Sequence, residues 1–229
     1  KTTTINAIID IFENNGKSVT LAAPTGRAAK RMSETSNKEA KTIHRLLEMG
    51  FSTDDDLTFF KDEEDPINSD VIIVDEVSMV DIILMYNLLR AIKLGTRVIL
   101  VGDSDQLPSV GAGNVLKDMI NSNIINVVKL NEIFRQAQES MIIVNAHKIN
   151  NGEPLYLNTK GKDFFFIRKS TNEEILNEII GLVNERLPKF YKVDKLKDIQ
   201  VLSSMRKGEL GVTNLNIELQ KYLNKKEKF

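Results

Sequence analysis

The chain has 229 residues, enough for one large domain or two small ones, and its apolar fraction of 41% is that of an ordinary globular protein. It has no cysteine and only two histidines, His44 and His147, which excludes disulfides and thiolate metal sites and leaves little basis for a zinc cluster. A net charge of −1 argues neither for nor against a nucleic-acid partner; no apolar run reaches the ~20 residues of a membrane span and no signal peptide is visible, so a cytoplasmic location is expected.

Taken in chain order, the pattern alternates helix and strand, as in a parallel sheet covered by helices. Ile5, Ile8, Ile9 and Phe12 have helical spacing and predict a helix over Thr2 to Asn14, stopped by Asn15-Gly16. Val19 to Ala23 reads as a buried strand broken by Pro24. Helices are expected over Thr25 to Ser33 and Lys41 to Met49. The pattern lapses at about residues 50–69, where the acidic stretch Phe51 to Asp65 reads as a small insertion, a hairpin or a solvated loop. Val71 to Val74 is a second buried strand, Asp81 to Leu94 an amphipathic helix closed by Gly95, and Arg97 to Val101 a third strand. A short helix over Gly113 to Asn121 and a fourth strand over Asn126 to Leu130 follow.

A helix over Ser140 to Ile149 leads to Asn151-Gly152, the expected boundary between a first domain, 1–150, and a second part, 151–229. The second part reads as a strand at Phe164 to Ile167, a helix from Asn172 to Leu187 ended by Pro188, a strand at Ile199 to Leu202 and a helix from Val212 to Leu223. Thr171 and Glu174 have the spacing of a capping box. Phe164 to Phe166 suit the core of a sheet, with base stacking as the alternative. The lysine-rich run Lys221 to Lys228 reads as a solvated face or a frayed tail.

The chemistry begins at the first residue. Lys1-Thr2 opening a helix matches the end of a phosphate-binding loop, G-x-x-x-x-G-K-[ST], with Lys1 on the β- and γ-phosphates and Thr2 on magnesium. Alone the pair is a weak signal. Asp75-Glu76, at the end of an apolar strand, supplies what such a loop needs: an oxygen ligand for a hydrated magnesium ion and a carboxylate to take a proton from water. Gln106, in Gly102-Asp103-Ser104-Asp105-Gln106, follows the next strand and can touch both the γ-phosphate and the attacking water. Arg27, Lys30, Arg31 and Arg45, then Arg206 and Lys207, are the basic residues available for a nucleic-acid groove.

These blocks resemble the superfamily 1 DNA helicases of the RecD-like type, the family of the exodeoxyribonuclease V alpha subunit. The resemblance is carried by Lys1-Thr2-Thr3, Ala22 to Ala29, Thr42 to Leu47, Val74 to Met79, Gly102 to Val110, Leu130 to Gln136, and Val201 to Gly208 continued by Leu210-Gly211-Val212 and Leu215-Asn216. It implies an α/β fold: a RecA-like P-loop domain with a parallel sheet, plus part of a second RecA-like domain. The implied activity is an ATP-dependent helicase moving 5′-to-3′ on single-stranded DNA in repair or recombination, with helicase–nuclease subunits as candidate partners. It makes ATP and Mg2+ the cofactors. Lys1, Thr2, Asp75, Gln106 and Arg135 contact the nucleotide or its metal, and Glu76, Gln106 and Arg135 are catalytic. Pro24, Thr25, Gly26, Arg27, His44 and Arg206 face DNA. For Arg135 a surface pair with Glu132 is the alternative, and for His44 a plain surface site. Ser204 stands where the family usually has proline. The loop glycines of the family would precede Lys1, so residues 1–229 alone are expected to hydrolyse ATP poorly. The helicase part of a conjugative relaxase and a non-catalytic P-loop interaction module are the alternative readings.

Overall fold

The computed structural model describes residues 2–51, 57–130, 139–157 and 163–224. The chain divides into two compact units, Lys1–Glu132 and Ile133–Phe229.

The first unit is built on a four-stranded parallel sheet. Its strands are β1 (Val19–Ala23), β2 (Ala40–Thr42), β5 (Val71–Val74) and β6 (Arg97–Leu100), in the order β2-β1-β5-β6. Side chains alternate across the sheet because successive residues of a strand face opposite ways. Leu21, Val71 and Ile73 point to one face, where they bury Ile5 and Ile9 of α1 (Thr2–Asn14) and Met32 of α2 (Gly26–Ser36). Ala22, Ile72 and Val74 point to the other, against α3 (Ile43–Leu46), α4 (Ile82–Arg90) and α5 (Val115–Asn121). With both faces covered, β5 is apolar at every position, the pattern parallel strands require. Each fully buried isoleucine of that strand contributes about 1.5–3 kcal/mol. The sheet is therefore the middle layer of an α/β sandwich.

Caps set the helix starts. Thr25 Oγ1 accepts the Ala28 N–H at 3.3 Å, and Asp81 Oδ1 accepts the Leu84 N–H at 2.8 Å. Between α3 and β5 the insertion forms a hairpin of β3 (Met49–Phe51) and β4 (Leu57–Phe59), one of the two forms expected for it.

Three sequence expectations for this unit change. Lys41 to Met49 is not one helix: its first residues extend β2, and Thr42 then caps a single turn, accepting the Arg45 N–H at 3.2 Å. Asp81 to Leu94 helps form a shorter helix, because Ala91 caps it and Ile92 turns away to bridge Ile67. Asn126 to Leu130 is in no strand, and the fourth strand is β2 at the opposite edge. β-branched residues favour extended backbone, but a strand exists only where a neighbour supplies its hydrogen bonds.

In the second unit the described residues are helical or irregular. Ser140 caps α6 (Met141–Asn150), and its hydroxyl and the Met141 N–H both meet Asp163. Asn145 is buried and exchanges two 2.9 Å hydrogen bonds with the backbone of Tyr156. The expected strands at Phe164 to Ile167 and Ile199 to Leu202 are not formed, and Phe165 and Phe166 are exposed rather than packed. Pro188 does not end the helix before it. The chain runs from α7 (Asn172–Gly181) through a π-helical turn, Leu182–Arg186, into α8 (Leu187–Tyr191). Pro188 sits in the first turn of α8, directly after the π-helical turn. The capping box forms with a shift: Thr171 accepts the Glu174 N–H, while Glu174 reaches back to the N–H of Ser170. The last helix is α9 (Val212–Leu223).

Candidate functional site

Parallel strands place their C-terminal ends, and the loops that follow, along one edge. Ala23 pairs with Thr42, Ala22 with Val74, and Val74 with Leu100. The segments Pro24 to Arg27, Ile43-His44, Asp75-Glu76 and Gly102 to Gln106 therefore leave the sheet side by side. This is the edge where ligands of such sheets bind.

Backbone hydrogen bonds hold the acidic pair in place. The Asp75 N–H donates to the Ala22 carbonyl at 2.9 Å, and the Val77 N–H donates to the Val101 carbonyl at 3.1 Å. Between them Glu76 takes a left-handed conformation, φ 55° and ψ 39°. Thr2, at the start of α1, borders a cavity of about 90 Å³ together with Asp75 and Glu76. Sequence reading paired these three residues across 73 positions, and the structure brings them to one cavity.

That cavity also touches Asn6, Arg31 and Thr35. Asn6 Nδ2 donates to the Thr35 carbonyl at 2.9 Å and ties α1 to α2. Asn6 went unread in the sequence, although it lies one turn beyond Thr2 and so on the same helical face. Arg31, read as a groove cation, also lines this cavity.

Gln106 lies in a loop held by Asp103, whose Oδ1 accepts the Asp105 N–H at 3.0 Å. The Gln106 side-chain amide donates to Asp103 Oδ2 at 3.4 Å. Gly102 is required at the start of this loop, since a Cβ there would lie 2.6 Å from Leu116 Cδ2 and 3.2 Å from the Ser78 nitrogen. Gln106 does not line the Thr2–Asp75–Glu76 cavity; it stands on the neighbouring strand end.

Of the residues read as DNA-facing, Gly26 and Arg27 are exposed, and Pro24, Thr25 and His44 are half-buried. His44 stands 6.0 Å from the ring of Phe59, so the insertion touches it. Arg206 belongs to the second unit, where it lines an open cleft with Lys207, Thr213 and Asn214. Lys1 and Arg135 lie outside the described residues.

The donor set suits magnesium. That ion takes one or two carboxylates and keeps several waters, and a hydroxyl and carboxylates border the cavity here. Among the described residues no group of three or more histidine or acidic side chains offers a closed metal cage, and no helix is long and apolar enough to cross a membrane.

A doubly covered parallel sheet with these groups at its C-terminal edge defines the RecA-like fold of the P-loop nucleotide hydrolases. The profile of the AAA domain family matches residues 1–164. The ATP-dependent RecD2 DNA helicase of Deinococcus radiodurans is 37% identical over 224 residues, 98% of this chain and 29% of the relative. The RecBCD enzyme subunit RecD of Mycolicibacterium smegmatis is 28% identical, over 97% of this chain and 46% of the relative. The solved structure of Bacteroides Pif1 bound to ssDNA aligns with 79% of this chain and 49% of its own at 20% identity and a TM-score of 0.43. The chain belongs to the AAA domain family, and the relatives it matches are named RecD-type enzymes. It spans less than half the length of these relatives.

Proposed function

We propose that this chain forms the ATP-hydrolysing part of a DNA helicase that moves 5′-to-3′ on single-stranded DNA in repair or recombination, and that its second unit belongs to a second RecA-like domain. The observation that carries this reading is the convergence of Thr2, Asp75 and Glu76 on one cavity, with the Gln106 loop on the next strand. The names of the relatives, ATP-dependent RecD2 DNA helicase and RecBCD subunit RecD, support the substrate class.

In this reading Lys1 and the N-terminus of α1 hold the nucleotide phosphates. Thr2 and Asp75 hold magnesium, directly or through water; when bound, that ion neutralises phosphate charge. Glu76 takes a proton from the attacking water, and Gln106 orients that water against the γ-phosphate. Arg135 supplies positive charge as the transition state forms. Thr25 to Arg27 and His44 contact the DNA backbone, with Arg206 as a further contact. Contacts to phosphate and sugar suit a motor that passes every sequence. Subunits of a helicase–nuclease complex are partners this reading admits.

The test is Glu76→Gln in the full-length protein. The amide keeps the shape of the side chain but cannot take the proton. ATP binding should persist while DNA-stimulated turnover falls by about two to four decades. Turnover within a few-fold of the parent would remove Glu76 from this role.

A further inference from the structure

The helix α4 is held at both ends by groups with different tasks. At its N-terminus, Asp81 caps the helix, and the loop that continues from Gln106 folds directly over that cap. The Ile82 N–H donates to the Ala112 carbonyl at 3.0 Å. Gly111 lies so close that a Cβ on it would stand 2.2 Å from Asp81 Oδ2. Ser109 braces this turn by donating to the carbonyls of Gly111 and Gly113, at 3.0 and 3.2 Å. At the other end, Arg90 grips the insertion. Its Nε donates to Glu63 Oε1 at 2.7 Å and its terminal nitrogen to Oε2 at 2.6 Å, the two-pronged geometry that fixes orientation as well as distance. The Arg90 guanidinium also lies 5.6 Å from the centre of the Tyr86 ring. One residue on, the Ala91 carbonyl accepts the Ile67 N–H at 2.8 Å.

The insertion is fixed on its far side to the DNA-facing edge. Phe59 packs on the core and meets the His44 ring, and the N–H groups of Phe60 and Lys61 both reach the Leu47 carbonyl. A nine-residue helix, about 13 Å long, thus stands between the loop of Gln106 and a hairpin that touches His44. Its inner face, Leu84, Met85 and Leu88, is buried against the close-packed core.

We propose that α4 is a strut that carries movement of the Gln106 loop to the β3–β4 insertion, with Arg90 as the positioning residue at the receiving end. The inference rests on the reading of Gln106 as the residue that meets the γ-phosphate. A loop displaced by nucleotide pushes on the Asp81 end through Gly111 and Ala112. The Arg90–Glu63 pair transmits the displacement to the insertion. Without that pair Ile67 still meets Ala91 and Ile92 at the root of the insertion and Phe59 still packs on the core, but the charged clamp on Glu63 is lost.

Hydrogen–deuterium exchange on the full-length protein, with and without a non-hydrolysable ATP analogue, tests this. In the parent, the analogue should change exchange at least two-fold both in 102–114 and in 57–67. In Arg90→Leu the first response should persist and the second should fall below 1.5-fold, with nucleotide affinity within two-fold of the parent. Glu63→Arg should behave like Arg90→Leu, and combining it with Arg90→Glu should restore the response of 57–67. A parent insertion that ignores the analogue while 102–114 responds overturns the strut. So does an Arg90→Leu insertion that responds as the parent does, or a charge swap that restores nothing. If neither segment responds, the nucleotide reading itself falls, and the strut with it.

Discussion

The backbone N–H of Glu76 donates to the side chain of Asp75, residue to neighbour, at 2.8 Å. The candidate metal ligand is thus also the group that turns the chain so that the candidate base adopts φ 55°. A left-handed backbone costs a residue with a Cβ roughly 1–2 kcal/mol, and glycine escapes that cost at the expense of about 0.5–1 kcal/mol of chain entropy.

Glu76→Gly and Glu76→Ala should therefore part company in stability while matching in activity. Both lose the carboxylate and should show almost no ATP turnover. The glycine variant should unfold above the alanine variant, by up to about 1 kcal/mol, or roughly 2–4 °C in a domain of this size. Thermal unfolding of the two proteins checks this. A glycine variant less stable than the alanine variant would mean that the left-handed turn is not under strain.

Gly111→Ala should damage stability and turnover together. Its Cβ would lie 2.7 Å from both Asp81 Cβ and Cγ as well as 2.2 Å from Oδ2. Either the loop moves away or Asp81 leaves the Leu84 N–H. Loss of the cap costs about 1 kcal/mol, and overpacking adds about 1–3 kcal/mol. Denaturant unfolding should show the loss, and turnover should fall because the Gln106 loop is displaced. Gly95→Ala is a suitable control: Gly95 has a positive φ, unlike Gly111, but a Cβ there meets nothing within 4 Å, so it should cost stability without touching turnover.

Asp70 joins the starts of β1 and β5. The Ser18 N–H and hydroxyl both donate to its Oδ2 at 2.8 Å, and the Asp70 N–H returns a bond to the Ser18 hydroxyl at 2.9 Å. The Ser18 backbone bond, then the Ser18 hydroxyl, with Lys17 a smaller influence, hold this carboxyl below the usual carboxylate range against the opposing effect of desolvation. A group whose folded pKa is depressed contributes stability above its unfolded pKa, near ~3.9, and loses it as pH falls through the folded value. Asp70→Asn should thus melt lower than the parent at pH 7. The gap should shrink below pH ~4 and vanish once Asp70 is protonated in both states. A gap that stays constant from pH 7 to pH 3 would assign the effect to lost packing instead.

How far the molecule could be read from its sequence varies with the kind of feature. Thr2–Asn14, Val19–Ala23, Val71–Val74 and Arg97–Leu100 were legible because burial imposes a period of 3.6 or an unbroken apolar run. Ala40–Thr42 was not, since three residues without a large apolar side chain become a strand only through pairing with Leu21 to Ala23. Asn126 to Leu130 misled for the converse reason: its composition suits a strand, but among the described residues no neighbour pairs with it. At the site, Thr2, Asp75 and Glu76 could be read because each ends or begins an element that the parallel topology aims at one edge. The presence of Arg31 at that cavity depends on how α1 and α2 pack together, which no local pattern records.

The pairing of Ala23 with Thr42 places Arg27 and His44 on neighbouring connections at the same edge of the sheet, which sets the last expectation. Arg27 is exposed in the first turn of α2. If it meets a phosphate of single-stranded DNA, each such contact releases counterions, and the slope of log K against log salt should fall by about 0.7 when it is removed. Arg27→Ala in the full-length protein should therefore weaken binding most at low salt and least at high salt. It should do so equally for oligonucleotides of different base order, because phosphate carries no sequence information. His44→Ala should act differently. A ring that stacks on a base loses about 1–3 kcal/mol of binding on truncation with little change in slope, whereas a ring bound to phosphate changes the slope as Arg27 does. Fluorescence anisotropy titrations over a salt series, on both variants and on two unrelated base sequences, separate these cases. An Arg27→Ala protein whose slope and affinity match the parent would take this edge of the sheet out of the DNA path.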